Sequence, residues 1–206
     1  MITIWGRNTS SNVQKVLWLC EEIGLKFDRK DVGGSFGGLD TPQFLALNPN
    51  KSIPVIEDGG TVVWESHAVL RFLATKYGSD TLYPAEPAAR SQVERWLDWH
   101  LGVLAPAITP VFLGYFRTPP AARNETELAR QVAHLTTAMT LLEHEIENRA
   151  FIAGNKLTIA DIAFGNSVWR WFAFPFERPN LQNLAAWQAR VAERPGHRIH
   201  IAQPVS

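Results

Sequence analysis

The stretch Asn48-Pro49-Asn50-Lys51-Ser52-Ile53-Pro54-Val55, with Ser66 twelve residues beyond Pro54 and preceded by Glu65, decides how the chain folds. Proline has no N–H to donate, so Pro54 belongs at the start or edge of the strand that Val55 and Ile56 open, or in a turn. Base rates favour a trans bond there, with cis the rarer form. Ile53 to Ile56, the turn signal Asp58-Gly59-Gly60 and Thr61 to Trp64 read as a β-hairpin. Glu65-Ser66 then starts a helix with Val69, Leu70, Leu73 and Tyr77 on one face and Gly78 as its stop. A helix start offers free N–H groups and positive partial charge to a carboxylate, and an acid beside it can hold an amine. A serine in that place often serves only as an N-cap.

Upstream, Ile2 and Ile4 alternate as a short strand, and Val13, Val16, Leu17, Cys20 and Ile23 recur at helical steps. Ser10, Ser11 and Asn12 can cap that helix and Gly24 can end it. Phe27 to Val32 reads as a second strand, and Thr41-Pro42 opens a helix through Phe44, Leu45 and Leu47. The order over residues 1–78 is therefore β-α-β-α-β-β-α. Residues 79–87, with two prolines, form the natural linker.

Residues 88–206 read as helical throughout. Val93, Trp96, Leu97, Leu101 and Leu104 mark one long helix; Leu128, Val132, Leu135, Met139, Leu142 and Ile146 mark another. Thr158 and Asp161 make a capping-box-like start, and Leu181, Leu184, Trp187 and Val191 a final helix after Pro179.

The 206 residues carry a formal net charge of zero and 46% hydrophobic side chains, which gives no electrostatic case for nucleic acid or an anionic membrane. The opening apolar run is too short for a secretory signal, and no stretch reads as a membrane span. A single cysteine, Cys20, excludes an internal disulfide framework, and a cytoplasmic, reducing compartment is expected. The histidines show no ligand spacing, so no metal is expected. Gly33-Gly34-Ser35-Phe36-Gly37-Gly38 lacks the lysine and hydroxyl of a phosphate loop and reads as a loop flanking a site.

Thr9-Ser10-Ser11-Asn12 adds a run of hydroxyls and an amide between the first strand and helix. Three polar element ends in one small domain suit a small zwitterionic peptide. The combination resembles the glutathione transferases: the N-terminal element order, the Asn-Pro-x-x-x-Ile-Pro segment, the Glu-Ser helix start, and Gly154-Asn155-Lys156-Leu157-Thr158-Ile159-Ala160-Asp161 as the family's helix-capping motif. The resemblance implies a thioredoxin-like α/β domain that binds glutathione, then an all-α domain that contributes the second-substrate site.

It also implies roles. Ser11, four residues before Lys15, matches the catalytic serine of theta- and delta-like members, although Val13-Gln14 replaces their usual Pro-Cys, and Thr9, Ser10 and Asn12 are neighbours able to take the same task. Ile53 and a cis Pro54 would pair with the cysteinyl part of glutathione, Glu65 and Ser66 would hold its γ-glutamyl end, and Lys51 suits the glycyl carboxylate. Asn12 joins this glutathione-binding set. Cys20 lies on an apolar helix face, so thiol exchange is not implied.

The implied reaction is attack of the glutathione thiolate, with glutathione as co-substrate, on a small apolar electrophile, with detoxification as its setting. Glutathione-dependent peroxide reduction and a non-catalytic binding protein on the same fold are the alternatives. A homodimer is implied by the family.

Overall fold

The computed structural model describes residues 1–204. The expected helical region, 88–206, therefore ends in two positions that lie outside the described residues. Four strands, β1 (Ile2–Trp5), β2 (Phe27–Lys30), β3 (Val55–Asp58) and β4 (Thr61–Trp64), form one mixed sheet in the order β2-β1-β3-β4. β1 and β2 run parallel; β3 is antiparallel to both β1 and β4. The helices α1 (Ser11–Glu22) and α3 (Ser66–Tyr77) cover one face, and the short α2 (Pro42–Leu47) covers the other. This is the thioredoxin-like order read from the sequence.

Local chemistry explains the elements. Thr41 accepts a hydrogen bond from the Phe44 N–H and Pro42 sits in the first turn of α2, where its missing donor costs nothing. Phe44 then closes a small cluster with Val32 and Val55 beneath the sheet. Ile2 and Ile4 point to the opposite, larger core, where alternation along β1 puts both under α1.

The helical part comprises α4 (Pro87–Trp99), α5 (Ala105–Phe116), α6 (Glu125–Glu145), α7 (Ile159–Ala173), α8 (Gln182–Ala192) and α9 (Pro195–His200). The last of these, after Pro195, was not foreseen. Asp161 accepts from the Thr158 N–H and hydroxyl, from the Ile152 N–H and from the Trp187 indole, so the capping box at α7 also ties a loop and α8 to the helix.

Two expectations need correction. Residues 87–116 form one continuous helix which, by length and composition, is apolar enough to cross a membrane. Pro106 and Pro110 do not break it: the turn His100–Leu104 widens to a π-helix just before Pro106, which absorbs the proline's missing donor. Its buried stripe, Val93, Trp96, Leu97, Leu104, Ile108 and Val111, belongs to the protein core. The second correction concerns caps. Ser10 occupies the N-cap of α1 without a side-chain cap bond, and Ser66 is the first helical residue of α3, with Glu65 as the N-cap residue.

α1 is the hinge of the whole arrangement, since every residue from Val13 to Cys20 is buried between the sheet and the helical part. Trp18 fits because Gly165 on α7 and Gly196 on α9 carry no side chain; a Cβ on either would stand 2.4 Å from the indole. The two halves thereby share one continuous core.

Candidate functional site

Sheet register brings the singled-out residues together. Trp5 pairs with Val55, and Val55 with Trp64. The segments that leave β1, enter β3 and leave β4 must therefore meet at one end of the sheet. These are the Thr9-to-Asn12 run, Ile53-Pro54 and Glu65-Ser66. The Ile53-Pro54 bond is cis, the form that base rates disfavoured. Ile53 lies against Gly6 and Gly33, where a Cβ would stand 3.3 and 3.1 Å from its side chain, so the glycine-rich loop does flank the site.

The loop before the proline is braced by Asn48, which is fully buried. Its amide donates to the Ser52 carbonyl at 2.9 Å and its oxygen accepts from the Asn50 N–H at 3.0 Å. That brace holds Lys51 with φ 54° and leaves its side chain exposed. Glu65 is also left-handed, with φ 67° and ψ 118°, and exposed. A non-glycine residue there stores about 1–3 kcal/mol, a cost characteristic of residues shaped for a ligand.

The Ser66 hydroxyl donates to Asn12 Oδ1 at 3.4 Å. Since Ser66 and Asn12 lie in the first turns of α3 and α1, the free N–H ends of two helices converge where the hydroxyl run lies. Ser11 opens α1, and its hydroxyl makes no hydrogen bond to a described residue. The site can thus hold anions and offer a hydroxyl to one of them.

Sequence reasoning missed what lies beneath. The Lys15 ammonium is buried and donates to Asn12 Oδ1 at 3.1 Å, with His67 Nε2 at 3.4 Å. Burial, and then repulsion from Arg170, lowers its pKa to about 7. Burial, with Lys15 adding, lowers His67 to about 3 and keeps His100 neutral well below its ordinary range. His100 Nε2 lies 3.0 Å from the Ser167 hydroxyl, and Asn166 donates to Gln14 at 2.7 Å, so the network crosses into α7. Lys15 was visible only as a motif member. Its place among the apolar residues Val13, Val16 and Leu17 was the available signal. Cys20 is buried, and burial pushes its thiol up to about 12, with Glu21 adding, so it is no nucleophile.

A four-stranded mixed sheet of this topology, a proline-led β3, a strained residue before α3 and an appended helical domain define a thioredoxin-like fold with a candidate site at its sheet end. Comparison with known proteins makes the assignment specific. The family models for the glutathione S-transferase N-terminal and C-terminal domains match residues 9–76 and 103–195. Glutathione S-transferase GstB of Escherichia coli K12 is 35% identical over the full length of both chains. Glutathione S-transferase D7 of Drosophila melanogaster is 31% identical, covering 80% of this chain and 73% of that one. Among solved structures, the theta class glutathione S-transferase of Xanthomonas axonopodis pv. citri with glutathione bound superposes with a TM-score of 0.94 at 38% identity, covering 100% of this chain and 99% of that one. The chain belongs to the glutathione S-transferase family.

Proposed function

We propose that the protein conjugates glutathione by holding its thiol as thiolate beside Ser11 for attack on an electrophile bound against the helical half. The observation that carries this reading is the convergence of the α1 and α3 N-termini at the Ser66–Asn12 hydrogen bond, beside the Ile53-Pro54 segment. Ser66 and the first N–H groups of α3 take the γ-glutamyl carboxylate, and Glu65 takes its amine. The Ile53 backbone pairs with the cysteinyl part, Lys51 faces the glycyl carboxylate, and Asn12 fixes the approach of α1. Residues 1–78 form the glutathione domain, 79–87 the linker, and the helical remainder the second domain.

Magnitudes support a hydroxyl as sufficient. A thiol with pKa about 8.5 must fall by roughly two units, about 2.7 kcal/mol, to be mostly ionised at neutral pH. A hydrogen bond to the charged sulfur contributes about 1.5–3 kcal/mol, and a nearby helix N-terminus about 0.3–1 more. The buried Lys15, one turn along α1 from Ser11, adds positive potential while it stays charged.

We also propose a homodimer in the cytoplasm with detoxification as its role, as the family resemblance implies. The test is the ultraviolet thiolate band of bound glutathione. Ser11→Ala is expected to weaken that band at pH 7 by about threefold or more and to move its titration up by about one to two pH units. An unchanged band removes Ser11 from its role and passes it to Thr9, Ser10 or Asn12.

A further inference from the structure

Arg170 has an aromatic partner but no anionic one among the described residues. It stands in the last turn of α7, mostly buried, with its guanidinium over the Phe112 ring at 3.9 Å. Arg117 approaches the same ring at 5.5 Å. Neither makes a salt bridge or hydrogen bond to a described residue, whereas several other partly buried arginines find acceptors. Arg71 holds Glu94, Arg190 the Ala150 carbonyl, and Arg123 the carbonyls of Tyr115 and Thr118. A basic residue in a last helical turn complements the helix dipole, yet the Arg170 guanidinium bonds no end carbonyl. Burial, and then Arg117, lowers its pKa to about 10, which leaves it charged at neutral pH.

The same side chain lines a cavity of about 360 Å³ between the Asn8-Thr9 loop, α7 and the chain around Gln203. No aspartate or glutamate lines it among the described residues. Asn8 and Thr9 precede Ser11 in the chain and Gln14 follows it on α1, so the segments on both sides of Ser11 contribute to the cavity wall. Trp169 borders it too, with its indole N–H spent on the Gln203 carbonyl. A planar fork of N–H donors, partly stripped of water and lacking an internal anion, matches an incoming carboxylate far better than an uncharged apolar group.

We propose that the second substrate of this transferase is an anionic electrophile, a carboxylate-bearing organic halide or its like, whose carboxylate is held by Arg170. The inference rests on the thiolate-transfer reading and replaces its generic apolar electrophile with a charged class. In the step implied, the glutathione sulfur forms a C–S bond as the carbon–halogen bond breaks and halide leaves with the electron pair. The thiol proton has already passed to solvent. Arg170 positions the acid and takes no part in the proton balance.

A matched pair of probes tests it: 4-chloro-3-nitrobenzoate against 4-chloro-3-nitrobenzamide, each kcat/KM divided by the uncatalysed rate with glutathione. The unaltered protein is expected to favour the acid by about tenfold or more, as a charge-assisted contact requires. Arg170→Met should bring the ratio towards one, and Arg170→Lys should keep part of it. In the unaltered protein 3-nitrobenzoate should compete with the amide probe at concentrations where 3-nitrobenzamide does not, a readout that needs no variant to fold.

Turnover of the amide with no preference for the acid overturns this inference alone. Absence of turnover with both probes, together with no glutathione binding, overturns the thiolate-transfer reading on which it rests. Calorimetry with glutathione alone separates the two sources of carboxylate. If Arg170→Met weakens glutathione as much as it weakens the acid probe, Arg170 serves glutathione and the inference fails.

Discussion

Glu65 shows how a single backbone angle divides stability from function. With φ 67° and ψ 118° it sits where glycine alone is at ease, exposed; its carbonyl accepts the first α3 bond from Val69, but its carboxylate bonds no described residue. The strained residue stands at the N-terminus of α3, where the proposed site places the amine of a γ-glutamyl group. Glu65→Gly should therefore leave stability unchanged or raise it by up to about 1 kcal/mol, because relief of strain offsets the entropy of a freer chain. Glutathione affinity should fall about tenfold or more with loss of the carboxylate. Urea unfolding and calorimetry on the same variant check both halves. A destabilised Glu65→Gly would mean the side chain supports the fold rather than the ligand.

At the scale of the elements, the α7 N-terminus is the best-determined junction in the helical half. Asp161 is fully buried and collects two backbone N–H groups, a hydroxyl and an indole N–H. It thus fixes where α7 begins, where the loop at Ile152 lies and how α8 docks. Asp161→Ala strands these donors in a dry environment and should cost about 3–5 kcal/mol, visible as a large fall in the urea midpoint. Asp161→Asn, with one fewer acceptor lone-pair set, should cost less.

The Thr158–Asp161 spacing was legible in the sequence because capping is local chemistry, and so were the hairpin and the proline start of α2. Other elements were not. The π-turn at His100–Leu104 depends on how a helix meets Pro106 after packing, which no residue pattern announces. Ser66 looked like an N-cap; which residue takes the cap depends on the left-handed turn at Glu65, which no residue type there announces.

For the molecule as a whole, the candidate residues could be singled out one by one, but their meeting could not. It follows from the register Trp5–Val55–Trp64, a non-local pairing. The same holds for the polar layer under the site, where Lys15, His67, His100, Gln14, Asn166 and Ser167 lie at widely separated positions and join the two halves. Lys15 couples this layer to pH. Its pKa of about 7 in the folded protein lies below the ordinary ~10.4, so between about pH 7 and 10 the unfolded chain carries a proton that the folded one lacks. Stability relative to Lys15→Met should therefore be flat below that window and rise with pH through it. Urea midpoints of the two proteins from pH 6 to 9 give the difference directly. A difference independent of pH would show that Lys15 keeps an ordinary titration despite its burial.

The central claim is a working glutathione site at the convergence of α1 and α3. Calorimetric titration with glutathione, run on the unaltered protein and on the Glu65→Ala, Ser66→Ala double variant, tests it most directly. Saturable binding at or below millimolar glutathione by the unaltered protein, lost in the double variant, is the predicted result. No binding by the unaltered protein at millimolar ligand would contradict the claim and leave a glutathione-transferase fold serving as a non-catalytic binding protein.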